Sequence, residues 1–108
     1  MASSGYTEVL RTGKKNNDAL FSVYCTANGL RQARLGITVS RKVSRKAVLR
    51  NRIKRQVRES FRHHQYTLPG VDLIVIARSA AAGITGAKLR ESLQHHWEKI
   101  RQQCRSSP

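Results

Sequence analysis

Acidic residues are scarce in this sequence. Of 108 residues only 6 are Asp or Glu, against 21 Lys or Arg, giving a formal net charge of +15 and an isoelectric point near 11.3. Repulsion at that charge opposes compaction, so a polyanionic partner is the first expectation. The acids, Glu8, Asp18, Glu59, Asp72, Glu91 and Glu98, are scattered along the chain. They do not form the paired carboxylates of acid–base or metal-assisted hydrolysis. Cysteine is also scarce. Cys25 and Cys104 are too few for a disulfide framework and lack zinc-ligand spacing, which fits a reducing cytoplasm. His63-His64 and His95-His96 are adjacent pairs without the i, i+4 geometry of a helical metal site, and read as surface histidines. No Ser/His/Asp or Cys/His arrangement is visible, and Gly83 and Gly86 form no phosphate loop. The expectation is therefore no catalytic residue and no metal site in this chain. No run of 18 apolar residues offers a membrane span. The start, Met-Ala-Ser-Ser-Gly, lacks the basic and apolar regions of a signal peptide.

The chain does have enough apolar material for one domain. Hydrophobic residues make up 39%, and folding at this length removes roughly 65% of the unfolded chain's surface, enough for a single core. Residues 1–5 read as a disordered N-terminus or cloning remnant, 6–104 as the folded domain and 105–108 as a flexible C-terminus. A short helix is expected from Tyr6 to Thr12, stopped by Gly13. Ala19 to Thr26 alternates as a strand does, with Ala19, Phe21, Val23 and Cys25 on one side and Leu20, Ser22, Tyr24 and Thr26 on the other. Cys25 thus reads as a buried structural thiol. Asn28-Gly29 signals a turn, so Leu35 to Ser40 is expected to return as the second strand of a hairpin. Ser44 is the expected N-cap of a long helix ending near His64. At helical spacing Leu49, Ile53, Val57 and Phe61 form one stripe, expected to pack on the sheet with Leu35, Ile37, Val39 and Phe21. Val71 to Ala77 is nearly continuously apolar, hence a central strand buried on both faces and parallel to a neighbour. Thr85 is expected to cap a last helix to about Gln103, with Leu89, Leu93, Trp97 and Ile100 facing inward. There is no internal repeat or low-complexity segment.

The positive charge is concentrated. Arg41, Lys42, Arg45, Lys46, Arg50, Arg52, Lys54, Arg55, Arg58 and Arg62 are 10 of the 21 basic residues, and Glu59 is the single acid among them. Solvated helix faces normally mix signs; a one-sign face dominated by arginine suits bidentate phosphate contacts. Nothing resembles a helix-turn-helix, zinc finger or zipper. An open sheet face beside a basic helix instead suits a single strand, with bases stacked on an aromatic ring and phosphates along the charges. Tyr24 is the candidate ring, with Tyr6 approaching from the first helix. Ordinary half-buried packing is the competing reading for both.

Three segments carry a resemblance: Leu35-Gly36-Ile37-Thr38-Val39-Ser40-Arg41-Lys42-Val43, Arg50-Asn51-Arg52-Ile53-Lys54-Arg55, and Asp72-Leu73-Ile74-Val75-Ile76-Ala77-Arg78. In that order they resemble the protein subunit of bacterial ribonuclease P, from about Tyr6 to Gln103. The resemblance implies an α+β fold: a single α-β-β-β-α-β-α domain, its helices packed on a four-stranded sheet, with a left-handed βαβ crossover. It implies a catalytic RNA partner and precursor tRNA as substrate, one protein per RNA, in the cytoplasm and away from membranes. The RNA would cleave off the 5′ leader with Mg²⁺ bound mainly by RNA and substrate. The protein would bind the RNA and the leader and raise affinity for substrate and metal. Arg50, Asn51, Arg52, Lys54, Arg55 and Arg58 map onto the family's RNA-contacting motif. Arg41, Lys42, Arg45, Lys46 and Arg62 extend that surface. Tyr6 and Tyr24 map onto the leader-binding cleft between sheet and first helix. Leu10 stands where a second aromatic is common, and offers contact area without a π-face. A basic stretch that usually precedes the family's first helix has no counterpart here. Two other readings are a ribosomal or RNA-chaperone protein and, against the missing carboxylate pairs, an autonomous nuclease.

Overall fold

The strand Val71–Ala77 organises the molecule, because six of its seven residues are buried and it needs neighbours on both edges and both faces. In the computed structural model, which describes residues 9–11 and 13–104, it lies second from one edge of a four-stranded sheet. The strands are β1 (Lys14–Asn17), β2 (Phe21–Ala27), β3 (Arg34–Thr38) and β4 (Val71–Ala77), in the order β1-β2-β4-β3. β4 runs antiparallel to β2 and parallel to β3. Helix α1 (Ala47–His64) connects β3 to β4, and helix α2 (Gly86–Cys104) ends the fold. Short 3-10 turns at Gln65–Thr67 and Ser79–Gly83 follow α1 and β4. Residues 9–11 are helical; the rest of the expected first helix, including Tyr6 and Thr12, lies outside the described residues, as do the expected tails at 1–5 and 105–108.

The expected hairpin between the second and third strands does not form. β4 inserts between β2 and β3, since a strand apolar on both sides competes better for the centre than one with a small polar row. Asn28-Gly29 still turns the chain. Gly29 has φ 72°, a left-handed conformation that glycine adopts without a Cβ clash, and Asn28 Oδ1 accepts from the Leu30 amide at 2.7 Å. The turn carries the chain across the sheet end, where Arg34 forks onto Asp72 through Nε and Nη2, both at 2.7 Å. Asn28 Nδ2 donates to the same carboxylate at 3.0 Å. The actual hairpin is β1–β2, closed by Asp18, whose Oδ1 accepts from the Leu20 and Phe21 amides. Ala19 and Leu20 therefore belong to the turn rather than to the strand, and Val39 and Ser40 lie beyond the end of β3.

β1, Lys-Lys-Asn-Asn, has no apolar alternation and could not be located from periodicity. Its buried Asn16 is held by a reciprocal amide pair with Gln103 of α2, at 3.0 and 3.2 Å.

The core lies on one sheet face. Phe21, Val23 and Cys25 of β2, with Leu73 and Val75 of β4, meet Ile53, Val57 and Phe61 of α1 and Leu89, Leu93, Trp97 and Ile100 of α2. Leu35 and Ile37 are half-buried against this cluster, while Leu49, half-buried in the first turn of α1, lies outside it. Phe61 meets Trp97 edge-on at 6.1 Å, and Trp97 Nε1 donates to buried Ser60 Oγ at 2.8 Å. Thr85 caps α2 as expected, its Oγ1 accepting from the Lys88 amide. Ser44 does not cap α1. The helix starts at Ala47 with Lys46 at its N-cap position and no side-chain cap. Ser44 Oγ instead accepts from the Lys46 amide, because the chain is already committed to a turn at 41–43 that buries Val43.

One of the expected surface histidines is internal. His96 is buried on the inner side of α2, beside Leu93 and Trp97, with Nε2 3.3 Å from Asp18 Oδ2 but outside hydrogen-bonding geometry. Adjacent histidines on a helix point about 100° apart, so one of His95 and His96 reaches the interior.

Candidate nucleic-acid interface

The basic surface starts where β3 ends. Val43 is buried and pins the 41–43 turn, so Arg41 and Lys42 project outward beside it. With Ser44, Arg45 and Arg50 they line an open cleft of about 870 Å³. Arg50 organises this cleft from within: its Nη1 donates to the carbonyls of Ser44 and Arg45, both at 2.9 Å. One guanidinium nitrogen is thus committed to holding the loop, which sequence position alone did not show. Lys46, Asn51, Arg52, Arg55, Arg58 and Arg62 are exposed and Lys54 is half-buried.

Among the described residues none of these cations has an ion pair with a carboxylate, and Glu59 pairs with none of them. Phosphates arriving here therefore displace only water and counterions, not internal salt bridges. The apolar stripe on the opposite side of α1 fixes this orientation: burying Ile53, Val57 and Phe61 turns the arginines to solvent.

The second surface is the other face of the sheet. The register puts Lys15 of β1 opposite Tyr24 of β2, and Tyr24 opposite Ile74 of β4. Tyr24 is half-buried, and Lys15 Nζ sits 5.5 Å from its ring centroid. A cation over a flat ring offers a base a stacking surface and its phosphate a positive charge. Lys15 was missed because a strand without alternation gives no parity from which to assign its face. Ile74 is fully buried although it points away from the helices; it and Val9 are the two buried apolar residues outside the main core. Val9 and Gly13 come close to β2 beside Tyr24. A Cβ on Gly13 would stand 2.4 Å from the Val9 carbonyl oxygen and 3.0 Å from that of Cys25, so only glycine fits this approach. Leu10, in the same turn, is exposed. Tyr6 lies outside the described residues.

Asp18 and Asp72 are occupied elsewhere. Burial alone would raise the Asp18 carboxyl, but hydrogen bonds from Ser92 and the Phe21 and Leu20 amides, with His96 nearby, hold it below its usual value. The Arg34 fork holds Asp72 low against its burial. Burial pushes His96 down more than Asp18 pulls it up. The described residues contain no group of three or more His, Cys, Asp or Glu that could hold a metal.

Comparison with known proteins accounts for nearly the whole chain. The family model "Ribonuclease P" matches residues 2–101. The ribonuclease P protein component of Thioalkalivibrio sulfidiphilus is 40% identical over 99 residues, spanning 92% of this chain and 82% of that protein. The component of Methylococcus capsulatus is 43% identical over 93 residues, spanning 86% and 73%. Among solved structures, the Staphylococcus aureus RNase P protein superposes with a TM-score of 0.85 at 36% identity, covering 94% of this chain and 93% of that one. The Thermotoga maritima RNase P protein gives 0.80 at 34% identity, covering 88% and 90%.

Proposed function

The chain belongs to the ribonuclease P protein family, and from that premise we propose that its two faces divide the work of tRNA 5′ maturation. It is a protein component of ribonuclease P, a subunit of the endoribonuclease that removes the 5′ leader of precursor tRNA with catalysis in the RNA subunit. The arginine face of α1, with the 41–46 loop, seats the protein on the catalytic RNA. The opposite sheet face, with Tyr24 and Lys15, receives the leader. The observation that carries this division is the placement of Tyr24 and the arginines on opposite sides of one sheet. One strand of RNA can then cross the open face without competing for the helix.

Mg²⁺ belongs to the RNA and substrate in this reading. Asp18 and Asp72 are committed to internal partners, so the described chain offers no carboxylate pair for two-metal chemistry. The protein contributes positive potential, which lowers the repulsion between leader and catalytic RNA and so favours substrate and metal together. One protein per RNA and a cytoplasmic site of action complete the proposal. No helix among the described residues is long and apolar enough to cross a membrane, and no observation favours the ribosomal or chaperone reading.

The test is Tyr24→Ala in the reconstituted holoenzyme, measured on precursor and mature tRNA. Loss of one stacked base, roughly 1–3 kcal/mol, should weaken precursor binding about five- to hundredfold and leave mature tRNA nearly unchanged. Equal losses on both would make Tyr24 a folding residue and remove the leader from this face.

A further inference from the structure

Tyr66 is 85% exposed, more than any other large hydrophobic side chain among the described residues. It does not sit on a loose tail. The 3-10 turn Gln65–Thr67 continues α1 directly, and three contacts hold it. Thr67 Oγ1 donates to the His64 carbonyl at 2.8 Å, Arg101 Nη1 of α2 donates to Thr67 Oγ1 at 2.8 Å, and Leu68, the next residue along, is buried. Tyr66 has no ring partner or hydrogen bond among the described residues. The protein therefore holds an aromatic ring in water on an ordered perch, exposing apolar area that folding would normally bury.

The surroundings select the occupant. Arg62 and His63 occupy the last turn of α1, four and three residues before the ring. Arg101, tied to the perch, also neutralises Glu98 at 2.8 Å. A second copy of a chain carrying +15 is repelled from this end, whereas a polyanion is drawn to it. We propose that Tyr66 is a stacking platform for an unpaired nucleobase of the RNA subunit, placed where the arginine face ends. This rests on the RNA-binding reading above and extends it from phosphates to a base. Arg62 holds the adjoining phosphate and the phenol ring offers its π-face, which accepts any base.

The experiment measures binding of wild type, Tyr66→Ala, Tyr66→Phe and the double variant Arg55→Ala with Arg58→Ala to the ribonuclease P RNA transcribed from the same genome, across a salt series. Tyr66→Ala should lose roughly five- to hundredfold in affinity with an unchanged salt slope, because the ring carries no charge. Tyr66→Phe should bind as wild type, and the melting temperature should not move in either, since the ring is solvated. Unchanged affinity for Tyr66→Ala, while the double arginine variant is weakened, overturns the platform and leaves RNA binding standing. Equal losses for Phe and Ala also overturn it, in favour of a hydroxyl contact. Sedimentation gives a further check: self-association lost in Tyr66→Ala with RNA affinity intact assigns the ring to a protein contact and overturns the proposal. Absence of salt-dependent binding by wild type is a different failure, that of the RNA-binding reading itself.

Discussion

Replacing Arg55 and Arg58 together by alanine isolates the phosphate-binding role of α1. Both side chains are exposed and neither has an ion pair among the described residues, so their removal breaks no internal salt bridge. Alanine is also the better helix former at each position, so the fold should be untouched. Each lost phosphate contact lowers the magnitude of the log-affinity versus log-salt slope by roughly 0.7–0.9, and two lower it by roughly 1.4–1.8. Between 50 and 200 mM salt, a fourfold change, wild type should lose roughly seven- to twelvefold more affinity than the variant. Filter binding to the RNA subunit at four or five salt concentrations reads this directly. Arg50→Ala is the informative contrast. It removes the two carbonyl contacts that hold Ser44 and Arg45, so it should lower affinity further and loosen the 41–46 loop to hydrogen exchange. An unchanged slope in the double variant would refute the claim that this face binds phosphates.

Phe61→Ala should destabilise the protein by about 3–5 kcal/mol, since it empties a site packed edge-on against Trp97 at 6.1 Å; a denaturant midpoint corresponding to under about 1 kcal/mol would contradict the packing. The His96 imidazole is held below its ordinary 6.5, first by burial and then by Lys99 and His95, against the pull of Asp18. The unfolded chain therefore takes up the proton first, and the stability this group confers is complete above pH 6.5 and falls as pH drops through the folded value. Urea midpoints should decline on acidification below 6.5 in wild type and less steeply in His96→Leu. Parallel curves for the two would show that His96 does not titrate on unfolding. Asp18, also held low, adds a separate loss below its ordinary 3.8 that both proteins share.

Much of this protein is legible along the chain because its strongest signals are local. The alternation of Phe21, Val23 and Cys25 against Ser22, Tyr24 and Thr26 assigned both sheet faces. The nearly continuous apolar run of β4 marked it as central, with a parallel neighbour. The spacing of Ile53, Val57 and Phe61 by itself turns the arginines outward, and three ordered motifs point to the family. Tertiary structure decided what depends on contacts between distant residues. β1 owes its place to hydrogen bonding with β2 and to the Asn16–Gln103 pair, 87 residues apart, which no periodicity records. β2 and β3 are separated because β4 must bury two faces, a competition among strands that the Asn28-Gly29 turn cannot express. Lys15 joins Tyr24 only through cross-strand register, and Arg50 is distinguished from its neighbours only by the carbonyls it meets. Charge and hydrophobic period are properties of the chain. Register, burial of His96 and the exposure of Tyr66 arise only when separate segments take up the same space.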